Sequence, residues 1–124
     1  MNIESSFWLT ISELLRTGSI LIDRPRGKPH PRYPELIYPL DYGYLENTST
    51  GDGDGIDVWI GSNPEKTLTG ILCTFDKMKR DAEIKLLIGC TDEDIATIQG
   101  FNCEMATLFI RNPMVEYDLP NRFP

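Results

Sequence analysis

Hydrophobic and polar positions along this chain follow a helical rhythm in two places and a strand pattern in most of the rest. Over residues 5–17, Phe7, Ile11, Leu14 and Leu15 fall on one helical stripe, with Ser5 or Ser6 as a cap and Gly18 as a stop. The apolar run Ile20-Leu21-Ile22 predicts a short strand. Next comes RPRGKPHPRYPELIYP, which holds five of the nine prolines. Proline cannot donate to a helix or a ladder, so this segment predicts an extended loop that follows the surface. IDVWIG (56–61), TGILCTFD (69–76) and EIKLLIGC (83–90) have the β-branched and aromatic content of strands, separated by turn residues. Thr91 followed by Asp-Glu-Asp predicts a helix start, because early carboxylates suit the helix dipole, and the helix should run to about Phe101. ATLFIR (106–111) fits a strand or a short helix, and the pattern does not decide between them. The expected fold is mainly β (α+β), a small OB-like β-barrel with flanking helices.

Composition narrows the class of protein. The 124 residues are one domain's worth of chain, expected to span 1–124, and can hold one core without disulfides or a metal. Nineteen acidic against twelve basic residues give a formal charge of -7, which argues against nucleic-acid and anionic-membrane surfaces. No apolar run approaches the roughly 20 residues that span a bilayer. MNIESSFWLTISELL has neither the basic start nor the small-residue cleavage site of a secretion signal. Cys73, Cys90 and Cys103 are widely spaced, without a CxxC pair, and read as reduced, mostly buried thiols. A cytoplasmic location is the expectation.

The arrangement of charge says more than its sum. Arg24, Arg26, Lys28, Arg32 and the single histidine, His30, lie together. From Tyr33 to Glu65 there is then no basic residue, while Glu35, Asp41, Glu46, Asp52, Asp54, Asp57 and Glu65 are all acidic. A site for a metal-bound polyanion has this composition, carboxylates for the cation and guanidinium groups for the phosphates. Two solvated loops of opposite sign that pair with each other would give the same pattern.

The sharpest local feature is Gly51-Asp52-Gly53-Asp54-Gly55-Ile56-Asp57. Three carboxylates this close repel one another unless a cation or protons compensate, and the glycines let the backbone bring them together. Hard oxygen donors at this density suit Mg²⁺ shared with substrate phosphates. A calcium EF-hand does not fit, since Ile56 and Asn63 stand at ligand positions and the flanks read as strands. An ordinary Asp- and Gly-rich hairpin turn is the plainer alternative.

With the residues before it, this segment resembles the signature region of the soluble family I inorganic pyrophosphatases. Tyr38-Pro39, Tyr42-Gly43-Tyr44, and then Asp52, Asp54, Ile56 and Asp57 match the family's order and spacing, with Gly55 in place of the usual proline. The resemblance implies Mg²⁺ as cofactor, with Asp52 and Asp57 as ligands, and Asp54 as the catalytic group that helps deprotonate the attacking water. It implies that Tyr42 hydrogen-bonds a phosphate; a half-buried packing tyrosine is the alternative. Upstream, Asp23 takes the place of a metal-binding glutamate and Arg32 that of a phosphate-binding lysine, while Arg24, Arg26 and Lys28 read as a solvated basic loop. Downstream, Glu83 and Lys85 stand for the family's Asp-x-Lys, with Asp81 or Asp76 as the remaining acid. The resemblance implies Asp81 and Glu83 as metal ligands and Lys85 as a substrate contact, and on an extended backbone the three point to one face, as a metal-and-phosphate wall requires. An exposed strand face of alternating charge is the competing account.

The resemblance covers roughly residues 19–90 and is strongest over 38–61. The chain is shorter than typical family members and lacks the hairpin that carries a phosphate-binding arginine, and residues 91–124 show no matching late Tyr-Lys pair. Two functions follow as expectations. One is Mg²⁺-dependent hydrolysis of inorganic pyrophosphate to two phosphates. The other is a regulatory protein that binds metal and pyrophosphate without turnover. A single-strand nucleic-acid-binding barrel is disfavoured by the charge and by the lack of an aromatic-basic stripe. A homo-oligomer is expected, with Phe7 and Trp8 as exposed aromatics at a subunit contact.

Overall fold

The computed structural model describes residues 2–51 and 53–114. In chain order the elements are helix α1 (Ile3–Thr17), strands β1 (Ile20–Arg24), β2 (Asp41–Leu45), β3 (Ile56–Ile60), β4 (Leu68–Asp76) and β5 (Asp81–Ile88), helix α2 (Asp92–Phe101) and strand β6 (Ala106–Arg111). All six strands form one mixed sheet in the order β1-β2-β3-β5-β4-β6, antiparallel throughout except for the parallel pair β3–β5. The mainly β, α+β class expected from the sequence is what forms, and ATLFIR is a strand. Barrel closure is not: β1 and β6 stand at opposite edges and the sheet stays open. The cause is visible in the packing. A barrel encloses one core, whereas this sheet carries a separate apolar cluster on each face.

On one face Trp8 and Leu15 of α1 pack against Leu45, Val58, Ile71, Leu86 and Ile88. The buried stripe of α1 is Trp8, Ser12 and Leu15, one turn apart at each step. Phe7 and Leu14, assigned to that stripe from the sequence, are 45% and 41% exposed. Trp8, expected at the surface, is 3% exposed, because the largest apolar side chain of the helix takes the core position. The helix starts one turn earlier than the serines suggested, since Asn2 Oδ1 accepts the Ser5 N–H at 2.7 Å.

On the other face Ile95 and Ile98 of α2 meet Trp59, Leu72, Leu87 and the buried Tyr38. Thr91 caps α2 as the sequence predicted: its Oγ1 accepts from Asp94 N and the Asp94 carboxylate accepts from Thr91 N. Asp94 also accepts the Ser62 N–H at 2.8 Å, tying α2 to the end of β3. Burial opposes its charge, but the N–H groups of Ser62 and Thr91 outweigh that and hold the carboxyl below its usual range. Of the free cysteines Cys90 is buried, its thiol pushed up to about 12 by burial, while Cys103 is exposed, against the expectation of mostly buried thiols. No helix among the described residues is long and apolar enough to cross a membrane.

Candidate active site

The face that carries α2 is only half covered. Along β5 the chain passes from exposed Asp81 to fully buried Leu87 and Ile88, and the polar end of that gradient is the candidate site. Residues 41–45, read from the sequence as part of a motif without assigned structure, form β2, next to the edge strand β1. Their strand character was hidden by Gly43, which exists for space: a Cβ there would lie 1.9 Å from the Leu21 carbonyl oxygen across the β1–β2 pair.

Strand register gathers the side chains. Tyr44 pairs with Asp57 and Tyr42 with Trp59, so both tyrosines share a face with Asp57. Asp81, Glu83 and Lys85 pair with Asp76, Thr74 and Leu72 of β4, which places the three on one face as alternation predicted. β3 runs parallel to β5 from the pair Val58–Leu86, bringing Asp57 beside Lys85. Lys85 Nζ donates to Tyr42 Oη at 2.9 Å, Asp57 Oδ2 at 3.1 Å and Glu83 Oε2 at 3.1 Å. Each ammonium hydrogen has a protein acceptor.

The electrostatics are those of a half-buried ion cluster. The Lys85 side chain is 8% exposed, Asp57 27% and Glu83 36%, so the cation lies beneath the two carboxylates and they face solvent. Burial works against the Lys85 charge, but Tyr42, Asp57 and Glu83 together hold the ammonium above its ordinary value. Burial pushes the Tyr42 phenol up, keeping it a neutral hydroxyl. Glu83 is raised by burial and by its neighbour Asp57, with Lys85 working the other way. Two carboxylates over one ammonium leave the cluster one negative charge in excess.

The signature turn is built by local hydrogen bonds. Thr48 Oγ1 donates to Leu45 O at 2.6 Å and accepts from Ile56 N at 3.0 Å, which pins the loop between β2 and β3. Thr50 N donates to Asp54 O at 2.7 Å, and Gly53 takes φ +91°, which a glycine adopts without strain. Asp54 is exposed on this turn. Asp52 lies outside the described residues.

The structure thus brings Tyr42, Asp57, Glu83 and Lys85 together. Asp81 shares their face but is exposed, its side chain in no ion pair among the described residues. Asp76 is committed elsewhere, its Oδ1 accepting from Met78 N and Lys79 N in the β4–β5 turn. Asp23 is exposed at a bulge in β1, and the register there sets Arg24 opposite Tyr42. Arg32 is an exposed loop residue whose N–H donates to His30 Nδ1. Among the described residues no three His, Cys, Asp or Glu side chains form a metal cluster. The donor set nonetheless fits Mg²⁺, which is commonly held by one or two carboxylates, with waters and substrate phosphates completing its shell. Asp57 and Glu83 offer two such groups turned to solvent.

One residue of this face was misplaced by sequence reasoning. Arg24 is in β1 and half-buried, not in a solvated loop, because the bulge between Ile22 and Arg24 holds it in the ladder. Its Nη1 donates to Tyr38 Oη at 2.6 Å.

Fold and site define the class: an open α+β sheet bearing a carboxylate–lysine–tyrosine cluster beside an Asp-Gly turn. No family model matches the chain. It is similar to the inorganic pyrophosphatase of Xylella fastidiosa (strain 9a5c), with 41% identity over 44 residues, 36% of this chain and 21% of that protein. It is likewise similar to the inorganic pyrophosphatase of Geobacillus stearothermophilus, with 37% identity over 70 residues, 50% of this chain and 41% of that protein. The matches therefore span less than half the length of these relatives. They establish a pyrophosphatase-like relationship over part of the chain.

Proposed function

We propose that the chain is a Mg²⁺-dependent inorganic pyrophosphatase, hydrolysing pyrophosphate to two phosphates. The observation that carries this reading is the convergence of Tyr42, Asp57 and Glu83 on Lys85 at 2.9–3.1 Å, on the sheet face beside the Asp54 turn. The partial likeness to inorganic pyrophosphatases supports the same reaction.

Asp57 and Glu83 would hold the cation; the resemblance adds Asp52 as a further ligand, while no other described acid, Asp81 and Asp23 included, groups with the pair. Bound magnesium supplies positive charge that polarises the phosphoryl oxygens and acidifies a water. Lys85 fixes the two carboxylates in one orientation and offsets part of their repulsion, so little rearrangement is needed when a cation arrives. It contacts substrate only by releasing one of its three acceptors. Tyr42, kept protonated by burial, donates its hydroxyl hydrogen to a phosphate oxygen while accepting from Lys85. Asp54, on the exposed turn, takes the proton of the attacking water. Arg32 meets a substrate phosphate from the loop.

One observation favours the non-catalytic alternative: Lys85 already pairs with both carboxylates, so a protein that only binds metal and pyrophosphate would use the same cluster. Phosphate release from pyrophosphate with Mg²⁺ separates the two. Wild type should turn over, and Asp54→Asn should lose about 10²–10⁴ in kcat while still binding pyrophosphate by calorimetry. Binding without turnover in wild type would give the protein to the regulatory reading.

A further inference from the structure

Arg24 is the cation on this face that the proposed function leaves unused. The β1 bulge places it opposite Tyr42, whose hydroxyl is bonded to Lys85, so one strand separates Arg24 from the ion cluster. Its guanidinium lies 5.6 Å from the Tyr38 ring centroid and spends one N–H on the Tyr38 hydroxyl. Tyr38 is itself immobilised, 4% exposed and packed on Phe101 at 4.8 Å, Tyr42 at 5.6 Å and Trp59 at 5.9 Å. The guanidinium is thus held in a fixed orientation, its long side chain already ordered.

Among the described residues no carboxylate pairs with it. The ion pairs there are Glu13–Arg16, Asp57–Lys85, Glu83–Lys85 and Asp92–Arg111, while Asp41, the nearest acid in the loop's hydrogen bonding, accepts from the backbone N–H of Arg26. A half-buried, oriented guanidinium without a counter-charge is costly unless an anion arrives to meet it. Its surroundings add to the positive field. His30 stacks on Tyr38 at 6.1 Å and 11°, and the Arg32 N–H is bonded to that imidazole. Burial, then the charges of Arg24, Arg32 and Lys79, hold the His30 imidazole below its ordinary range, with Glu35 opposing them.

We propose that Arg24 is a phosphate-binding residue, presenting its remaining N–H groups to one phosphoryl group of a diphosphate whose metal-bound end lies at Asp57 and Glu83. This rests on the pyrophosphatase reading and adds a guanidinium donor, held in place, to the loop contact of Arg32. A fork held by one edge on Tyr38 keeps the geometry for bidentate contact with phosphate.

Calorimetry of the full chain with Mg²⁺ and methylene diphosphonate, a diphosphate that cannot be hydrolysed, tests it. Arg24→Gln should weaken binding by about 10- to 100-fold, as loss of a charged hydrogen bond does, and Arg24→Lys should restore part of it. Arg26→Gln should bind as wild type. Tyr38→Phe separates binding from propping, since it removes the Arg24 hydrogen bond but leaves the cation, its ring contact and its phosphate-facing N–H groups; its affinity should stay within about threefold of wild type. If Arg24→Gln binds like wild type while Asp57→Asn does not, the assignment of Arg24 is wrong and the pyrophosphatase reading stands. If Tyr38→Phe loses as much as Arg24→Gln, Arg24 is a structural prop. If wild type binds no diphosphate, both fall.

Discussion

His30 is the only imidazole in the chain, and its surroundings make it a reporter on the cations near it. Burial, then Arg24, Arg32 and Lys79, hold its pKa below the ordinary 6.5, with only Glu35 opposing. Protonation would also cost Nδ1 its role as acceptor for the Arg32 N–H at 3.0 Å and the Tyr33 N–H at 3.3 Å. Because the folded value lies below the unfolded one, His30 contributes stability above the unfolded pKa and that contribution is lost as pH falls through the folded one. Proton NMR should show one imidazole titrating with a midpoint below 6.5, rising toward it in Arg24→Gln. A midpoint at or above 6.5 would mean that the cations do not face the ring.

At the scale of elements, the β1–β2 pair decides whether Arg24 faces the site at all. Gly43 stands opposite Ile22 just before the bulge, and a Cβ there would meet the Leu21 carbonyl oxygen at 1.9 Å and the Ile22 Cα at 2.8 Å. Backbone cannot swing aside as a flexible side chain can, so Gly43→Ala must part the two strands. The expected cost is about 1–3 kcal/mol, the range for overpacking, seen as a lower denaturant midpoint at unchanged m. A midpoint equal to that of wild type would show that β1 is free to shift. This contact also marks where the sequence stopped being legible. Strands β3, β4 and β5 and helix α2 could be read from β-branched runs and the Thr91 cap, because those signals are local. The shared face of Asp81, Glu83 and Lys85 was legible for the same reason, as it needs only alternation along one strand. The parallel pairing of β3 with β5 and the bulge that rescues Arg24 from the loop are set by neighbours distant in sequence, and no local pattern records them. In α1 the periodicity was right and Ile11 and Leu15 do meet the core, but Trp8 takes the place given to Phe7, since the two are adjacent and only the sheet chooses between them.

For the molecule as a whole, the formal charge of -7 is concentrated rather than spread, with seven acids and no bases from Tyr33 to Glu65. Of those acids Asp57 reaches the described cluster, where with Glu83 it leaves an excess negative charge around a buried Lys85. A cation that binds the folded cluster and not the unfolded chain must stabilise the whole fold through linkage, by about 2.7 kcal/mol at a hundredfold excess over Kd. Millimolar Mg²⁺ should therefore raise the melting temperature by several degrees, reversibly on chelation. NaCl at matched ionic strength separates this from screening of the -7 charge, which any salt relieves. Asp57→Asn keeps the shape and a hydrogen-bond acceptor for Lys85 but removes a ligand charge, so its melting temperature should respond to Mg²⁺ no more than to NaCl. If sodium and magnesium stabilise wild type equally, the cluster is a structural ion network rather than a metal site.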